Sequence, residues 1–243
     1  MSKTIKPYKD SNATKKDQVA NMFDNISGNY DGLNRVITFG IDVKWREKVV
    51  SLVKATNPKK ILDIATGTGD LAIMQSKAIP TAEVVGLDIS AGMLEVGKDK
   101  IKNLGLEASI ELVLGDSENI PYEDHFFDAI TVSYGVRNFE NLNKGLQEIY
   151  RVLKPGGIFI VLETSVPTKF PFKQGYQFHS KVILPLVGRL FSKDKIAYSY
   201  LSESANSFPY GEAFNTILKD NGFNNVEDLP VTFGVSTIYK ATK

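Results

Sequence analysis

The chain has 243 residues, 42% of them hydrophobic and 23% charged, with a formal net charge of +1. That balance suits one soluble α/β domain and supplies no field to gather a polyanion, so nucleic acid is not an expected partner. There is no cysteine, which excludes disulfides, thiolate zinc sites and thiol catalysis, and no apolar run approaches the ~20 residues of a membrane span.

In chain order, the stretch through Lys16 carries five lysines against one aspartate. It lacks an apolar core, so it reads as a solvated tail rather than a secretory leader, with weak attraction to anionic lipid as the sharper alternative. Residues 15–56 look helical around a turn-rich stretch, SGNYDGLN. KKILDIA is then a buried strand ended by TGTGD, and Asp70 to Ala78 a helix. EVVGLD, the helix Ala91 to Asn103, SIELVLGD and FDAITVSYG follow as strand, helix, strand and strand. Asn141 to Leu153 places Leu142, Leu146, Ile149, Val152 and Leu153 on one helical face, and KPGG stops it. GIFIVLE is a fifth strand, residues 167–222 look mostly helical, and NNVEDLP and TFGVSTIYKAT are two last strands able to pair as a hairpin.

Short continuous apolar strands alternating with helices indicate a parallel sheet covered on both faces, joined by right-handed crossovers. The expected fold is α/β: a Rossmann-like, doubly wound, mostly parallel seven-stranded sheet with N-terminal helices and a helical cap insertion. It forms one domain. Residues 1–56 are the N-terminal helical or lid segment, 57–166 the cofactor-binding core, 167–222 the cap over the sheet's carboxyl edge, and 223–243 the hairpin.

In an open sheet of this kind, ligands bind beyond the carboxyl ends of the strands. Asp63-Ile-Ala-Thr-Gly67-Thr68-Gly69-Asp70 sits at the first such end, where glycine lets the backbone turn tightly and approach a ligand. Asp88 ends the second strand and can accept hydrogen bonds from both hydroxyls of a ribose. Asp116-Ser117 follows the third, within reach of an adenine amine, and Ser133 ends the fourth. Gly67-x-Gly69-x-x-Ala72 also fits the dinucleotide pattern, and Tyr150-x-x-x-Lys154 the Tyr/Lys pair of short-chain dehydrogenases. Pro155-Gly156-Gly157, however, puts Lys154 at the wrong edge of the sheet. Asp63 favours a cationic ligand over a pyrophosphate, so the expected cofactor is S-adenosyl-L-methionine, with its sulfonium and α-ammonium. No metal-ligand cluster is evident, and the two histidines, His125 and His179, lie far apart.

The ordered set LDIATGTGD, GLDIS, LGDSENIPYEDHFFDAITVSYGVRNF and EIYRVLKPGGIFIVLE resembles class I methyltransferases. Tyr30-Asp-Gly-Leu-Asn34 with Gly40-Ile-Asp-Val-Lys-Trp45-Arg46, and RVLKPGGIFIVLE (151–163), resemble the two signatures of menaquinone/ubiquinone-biosynthesis C-methyltransferases. YGVRN (134–138) and YSYLSES (198–204) resemble that family too, and the likeness spans about residues 20–240. It departs at Asp42, where histidine is common in the family, and at Thr164, where phenylalanine is common. The resemblance implies that Thr68, Asp88, Asp116 with Ser117, and Ser133 contact the cofactor, beside Gly67 of the turn. It implies demethylmenaquinol, a prenylated naphthoquinol, as acceptor, with the benzoquinol of ubiquinone synthesis as a second.

On such an acceptor, ionising one ring hydroxyl loads electron density onto the unsubstituted ring carbon, which attacks the methyl group. Arg137, just past the fourth strand, is the expected catalytic residue. Too basic to take a proton, it stabilises the ring oxyanion or orients a water, unless it only pairs with a cap carboxylate. His179 reads as packed beside aromatics. The apolar stretch 178–191 reads as a packed cap helix or a groove for the isoprenoid tail, and Tyr30, Asp31 and Asn34 as a lid or a connecting turn. A bilayer-soluble tail implies a cytoplasmic protein with peripheral membrane contact. Two other readings stay open: a methyltransferase for a sterol or polyketide, and a non-catalytic nucleotide-binding partner of another enzyme. The flanking motifs favour the quinol.

Overall fold

Seven segments of the chain pair into one sheet: β1 (Lys60–Ile64), β2 (Glu83–Asp88), β3 (Ile110–Leu114), β4 (Phe127–Ser133), β5 (Leu153–Thr164), β6 (Asn224–Val231) and β7 (Ser236–Thr242). The structure is a computed structural model and describes residues 5–8, 11–178 and 195–243. The strand order is β3-β2-β1-β4-β5-β7-β6. β1 to β5 run parallel, and β7 enters antiparallel between β5 and β6, which is the doubly wound sheet the strand pattern predicts.

Among the described residues the helices are α1 (Lys15–Ile26), α2 (Tyr30–Thr38), α3 (Ile41–Lys54), α4 (Asp70–Ala78), α5 (Ala91–Asn103), α6 (Leu142–Val152), α7 (Phe172–Phe178), α8 (Lys195–Ser207) and α9 (Glu212–Asp220). The strands are apolar on both sides because both sides are covered. Ile61, Ala129 and Ile160 face Trp45, Val49 and Val53 of α3 and Leu71 of α4. The alternate residues Leu62, Ile130 and Phe159 face Leu146 and Ile149 of α6 and Phe214 and Leu218 of α9, as a period of two requires. Each such side chain contributes about 1.5–3 kcal/mol by leaving water. A third cluster joins Val19 and Met22 of α1, Met93 of α5 and Ala197 and Tyr200 of α8. It draws α1 and α8 together over the carboxyl edge.

Three expectations need correction. KPGG does not stop α6. The strand begins at Leu153, paired with Phe127, and the Pro-Gly-Gly lies within it at a register shift. A Cβ at Gly157 would meet the Asp128 carbonyl at 3.0 Å and the Lys154 carbonyl at 2.8 Å, so the bulge itself demands glycine. Tyr30 to Asn34 is not a connecting turn but the first half of α2. The break falls later, at Phe39 and Gly40, with φ of 52° and 73°, where the Gly40 N–H bonds the Arg35 carbonyl at 3.0 Å and closes the helix. β7 starts only at Ser236, because Phe233 and Gly234, with φ of 58° and 90°, turn the chain first. Within the stretch expected to be cap, α9 packs on the sheet beside β6, with Phe214 and Leu218 fully buried. His179 and most of the apolar stretch 178–191 lie outside the described residues.

Candidate active site

The carboxyl ends of β1 and β2 are tied by one carboxylate. Asp88 accepts from the Gly67 N–H at 2.7 Å through one oxygen and from the Ser90 N–H at 2.8 Å through the other. Gly67 and Gly69 have φ of 58° and 78°, conformations open to glycine at little cost, and the turn they make delivers that first N–H. Burial raises the pKa of Asp88, and the backbone amides work against it. Each oxygen keeps a lone pair beyond its amide bond, so the carboxylate can still accept from a diol.

Asp63 does not do what its place on the strand led us to expect. It is buried, accepting from the Thr66 hydroxyl at 2.6 Å and the Thr131 hydroxyl at 2.7 Å, and Gln75 donates to Thr131 at 3.0 Å. Burial lifts its pKa to about 6. It braces the turn from beneath rather than meeting a cation.

Gly67, Asp88, Asp116, Ser117 and Ser133 line one cavity. Thr68 is turned away from it: its hydroxyl donates to Asp31 of α2 at 2.6 Å and accepts from Lys100 at 3.1 Å. Lys100 also pairs with Asp31 and Asp70, so Asp31 fastens α2 to the glycine turn. α1 forms the rest of the roof. Asp24 accepts from the Ser90 hydroxyl at 2.6 Å and the Gly92 N–H at 2.8 Å, capping α5. Lys16 donates to Asp116 at 3.1 Å, and Lys15 to the carbonyls of Arg137 at 3.0 Å and Phe139 at 2.7 Å. Burial pulls the pKa of Lys15 down to about 8. The end of the lysine-rich stretch is therefore bound to the site, not a frayed tail. The readable signal was Thr14 three residues before Asp17: its hydroxyl caps the helix by accepting from the Asp17 N–H at 3.1 Å and donates to the Asp17 carboxylate at 2.7 Å.

With α1 in place the cavity holds about 70 Å³, below the ~300 Å³ at which small-molecule pockets begin. The donor set fits S-adenosylmethionine. Asp88 suits a ribose, Asp116 and Ser117 suit an adenine edge, and the Ser133 hydroxyl is buried with no hydrogen-bond partner among the described residues.

A second, larger cavity of about 490 Å³ adjoins it. Tyr30 and Tyr134 line both, so the two share a wall. The second is mainly apolar, built from α2, the start of α3, α7, α8 and the turn before β7, and two guanidinium groups enter it. Arg137 donates to Glu163 at 2.6 Å and to the Tyr134 carbonyl at 2.8 Å. Its partner thus lies near the end of β5, not on the cap. Burial works against the charge of Arg137, but Glu163 and nearby phenols outweigh it and its pKa is raised. Its Nε and the far oxygen of Glu163 are buried without partners among the described residues. Arg46, paired with buried Asp42, is the cation that the motif reading missed. The two guanidinium carbons stand 6.0 and 5.9 Å from the Tyr134 ring centre. Tyr134 itself sits at φ 58°, and a Cβ on the next residue, Gly135, would meet the Ala65 Cβ at 2.5 Å. Asp42 and Thr164, the two positions where the family likeness breaks, both line this cavity. No group of side chains suited to a metal ion occurs among the described residues.

A doubly wound sheet whose second strand ends in a carboxylate able to accept from a diol, next to a large apolar cavity, is the architecture of an S-adenosylmethionine-dependent methyltransferase. A solved methyltransferase of that dependence from Aquifex aeolicus superposes with a TM-score of 0.57 at 22% identity, covering 81% of this chain and 88% of the other. The chain belongs to the ubiE/COQ5 methyltransferase family, whose model matches residues 11–243. A demethylmenaquinone methyltransferase from Bacteroides fragilis is 45% identical over 98% of this chain and 97% of its own length. A ubiquinone/menaquinone biosynthesis C-methyltransferase from Geotalea daltonii is 40% identical over 94% and 97%.

Proposed function

We propose that this chain methylates the ring carbon of demethylmenaquinol with S-adenosyl-L-methionine, giving menaquinol. The observation that carries this reading is the shared wall of Tyr30 and Tyr134 between a small polar cavity and a large apolar one holding two arginines. Relatives named for this acceptor over nearly their whole length support it.

The cofactor supplies a methyl group already activated on a sulfonium. The protein's task is then alignment, exclusion of water and stabilisation of the charge that develops on the acceptor. Asp88 holds the ribose hydroxyls, Ser117 and Asp116 face the adenine edge, and Ser133 and Gly67 line the floor. Arg137 stabilises the oxyanion of the ring hydroxyl as that group ionises. A guanidinium is too basic to remove the proton itself, and Glu163, held at 2.6 Å, fixes its aim. Arg46 supplies the second positive charge of the chamber. The isoprenoid tail keeps such an acceptor in a bilayer, so the enzyme meets it as a peripheral protein at the cytoplasmic face. Among the described residues no helix is long and apolar enough to cross a membrane.

The test is one assay. Methyl-labelled S-adenosylmethionine is supplied with reduced demethylmenaquinone, or with a benzoquinol analogue, and the organic extract is counted. Label is expected in the naphthoquinol. Label in neither acceptor sinks the proposal, and label in the benzoquinol alone reassigns it.

A further inference from the structure

Large apolar side chains exposed to solvent are unevenly spread over this chain. Val36, Phe39, Phe170 and Phe233 are 47%, 74%, 80% and 68% exposed, with Ile41 and Phe172 at 36% and 37%. They come from the end of α2, the approach to α7 and the turn before β7. Phe39, Ile41, Phe172 and Phe233 line the acceptor cavity, and the rings of Phe172 and Phe233 stack at 3.7 Å and 6°. Phe233 holds a left-handed φ of 58°, costly for a bulky residue, yet stays 68% exposed. A monomer seldom keeps such a contiguous patch unless something covers it.

The charges say what covers it. Residues 32–41, 164–178 and 231–237 contain no aspartate or glutamate, while they carry Arg35, Lys169 and Lys173. Both lysines are exposed, whereas Arg35, half exposed, is already paired with Asp70 at 3.3 Å, so the two lysines are the available charges. Aromatic and aliphatic side chains beside two exposed lysines, with no carboxylate in the same segments, match the interfacial zone of an anionic bilayer. A second copy laid on the same face would bring like charges together.

We propose that this rim is a membrane-docking face. Val36, Phe170 and Phe233 enter the headgroup zone, Lys169 and Lys173 pair with anionic headgroups, and the acceptor cavity opens directly into lipid. The inference deepens the quinol reading and rests on it for the cavity's content, though not for the docking itself.

Val36 and Phe170 lie outside the cavity lining, so Val36→Asp/Phe170→Asp together, and Lys169→Glu/Lys173→Glu separately, probe the face without touching the chamber. Each protein is floated with phosphatidylcholine vesicles, with and without a minority of phosphatidylglycerol. Methyl transfer is then measured to a tail-less, water-soluble naphthoquinol and to a long-tailed one held in the vesicles. Wild type should float, more strongly with the anionic lipid. The apolar pair should bind vesicles at least about tenfold more weakly, and the charge pair should lose the anionic preference. Transfer to the tail-less acceptor should stay unchanged in both, which shows that they fold, while transfer to the tailed acceptor falls. Wild type that does not float, or variants that float as it does, overturn the docking face. So does a wild-type dimer in sedimentation velocity that the apolar pair dissociates while vesicles bind neither protein. Floating without transfer to either acceptor leaves the face standing and overturns the quinol reading instead.

Discussion

The two cavities that meet at Tyr30 and Tyr134 are built by opposite means. The cofactor cavity is made from strand ends, glycine turns and backbone amides, and Asp88 is positioned by N–H groups that no side-chain rotation can move. The acceptor cavity is made from helix faces and loop aromatics, and its polar groups, Arg46 and Arg137, are held by carboxylates of their own. A fixed ligand common to many enzymes suits a site set by the sheet. An acceptor peculiar to one reaction suits a site assembled from the surrounding helices, which can change without disturbing the sheet.

The sharpest way to break that comparison is to disable one cavity and find the other affected. Arg137→Gln should lower turnover by about 10²–10³, the usual loss when one stabiliser of an oxyanion is removed, with S-adenosylmethionine affinity unchanged by calorimetry. Unchanged turnover would remove Arg137 from the chemistry. Asp88→Ala should do the reverse, weakening cofactor affinity by about a hundredfold, because it deletes a charged acceptor and frees the Gly67 turn. Acceptor KM at saturating cofactor should hold.

How each cavity registers in the sequence follows from how it is built. In a parallel sheet, the ends of neighbouring strands must stand side by side, so Asp88, Asp116 with Ser117, and Ser133 could be placed together from strand order alone. Asp63 was misread because position on a strand does not reveal that its carboxylate is buried beneath the turn, outside the cavity lining. The acceptor cavity was legible as Arg137, a lid at Tyr30 and Asn34 and a generic cap, while Arg46, Tyr134 and Leu201 stood in family motifs with no role assigned. Arg46, Tyr134, Phe172, Leu201 and Phe233 come from five separate stretches, and nothing in local periodicity says that such stretches converge. Lys16 was read as tail because composition shows charge without showing Asp116 opposite it.

Asp63 sharpens the claim that the cofactor cavity is a braced scaffold. Its folded pKa of about 6 stands above the ordinary 3.8, so the native state holds a proton that the unfolded chain releases between those values. Stability from this group is therefore greatest below about pH 4, falls as pH rises to about 6 and is level beyond. Asp63→Asn has no such step. The difference in unfolding free energy between variant and wild type should grow in the variant's favour from about pH 4 to about pH 7, by at most about 3 kcal/mol. Background titrations common to both proteins cancel in that difference. A flat difference would mean that Asp63 is ionised throughout.

Arg46→Gln should raise the KM for acceptor about tenfold with a smaller change in kcat, as expected for one lost charge-assisted hydrogen bond. It also strands Asp42 in the interior. The companion Asp42→Asn/Arg46→Gln should recover melting temperature but not KM. Recovery of both would make Arg46 a packing residue and leave Arg137 as the chamber's sole working cation.

The smallest effect is expected where the roof touches the floor. Lys16 and Asp116 form a partly exposed pair, and such pairs contribute about 0–1 kcal/mol. Yet Asp116 also lines the cavity proposed to take the adenine. Lys16→Met removes the latch and frees that acceptor, so the cofactor's association rate should rise by a few-fold, up to about fivefold, with its dissociation rate less altered. Lys15 is the control, because its bonds run to the carbonyls of Arg137 and Phe139 rather than to Asp116. Lys15→Met should loosen the acceptor side, slowing turnover more than it speeds binding. If stopped-flow traces show equal acceleration in both variants, α1 lifts as one piece and Lys16 has no particular hold on the adenine end.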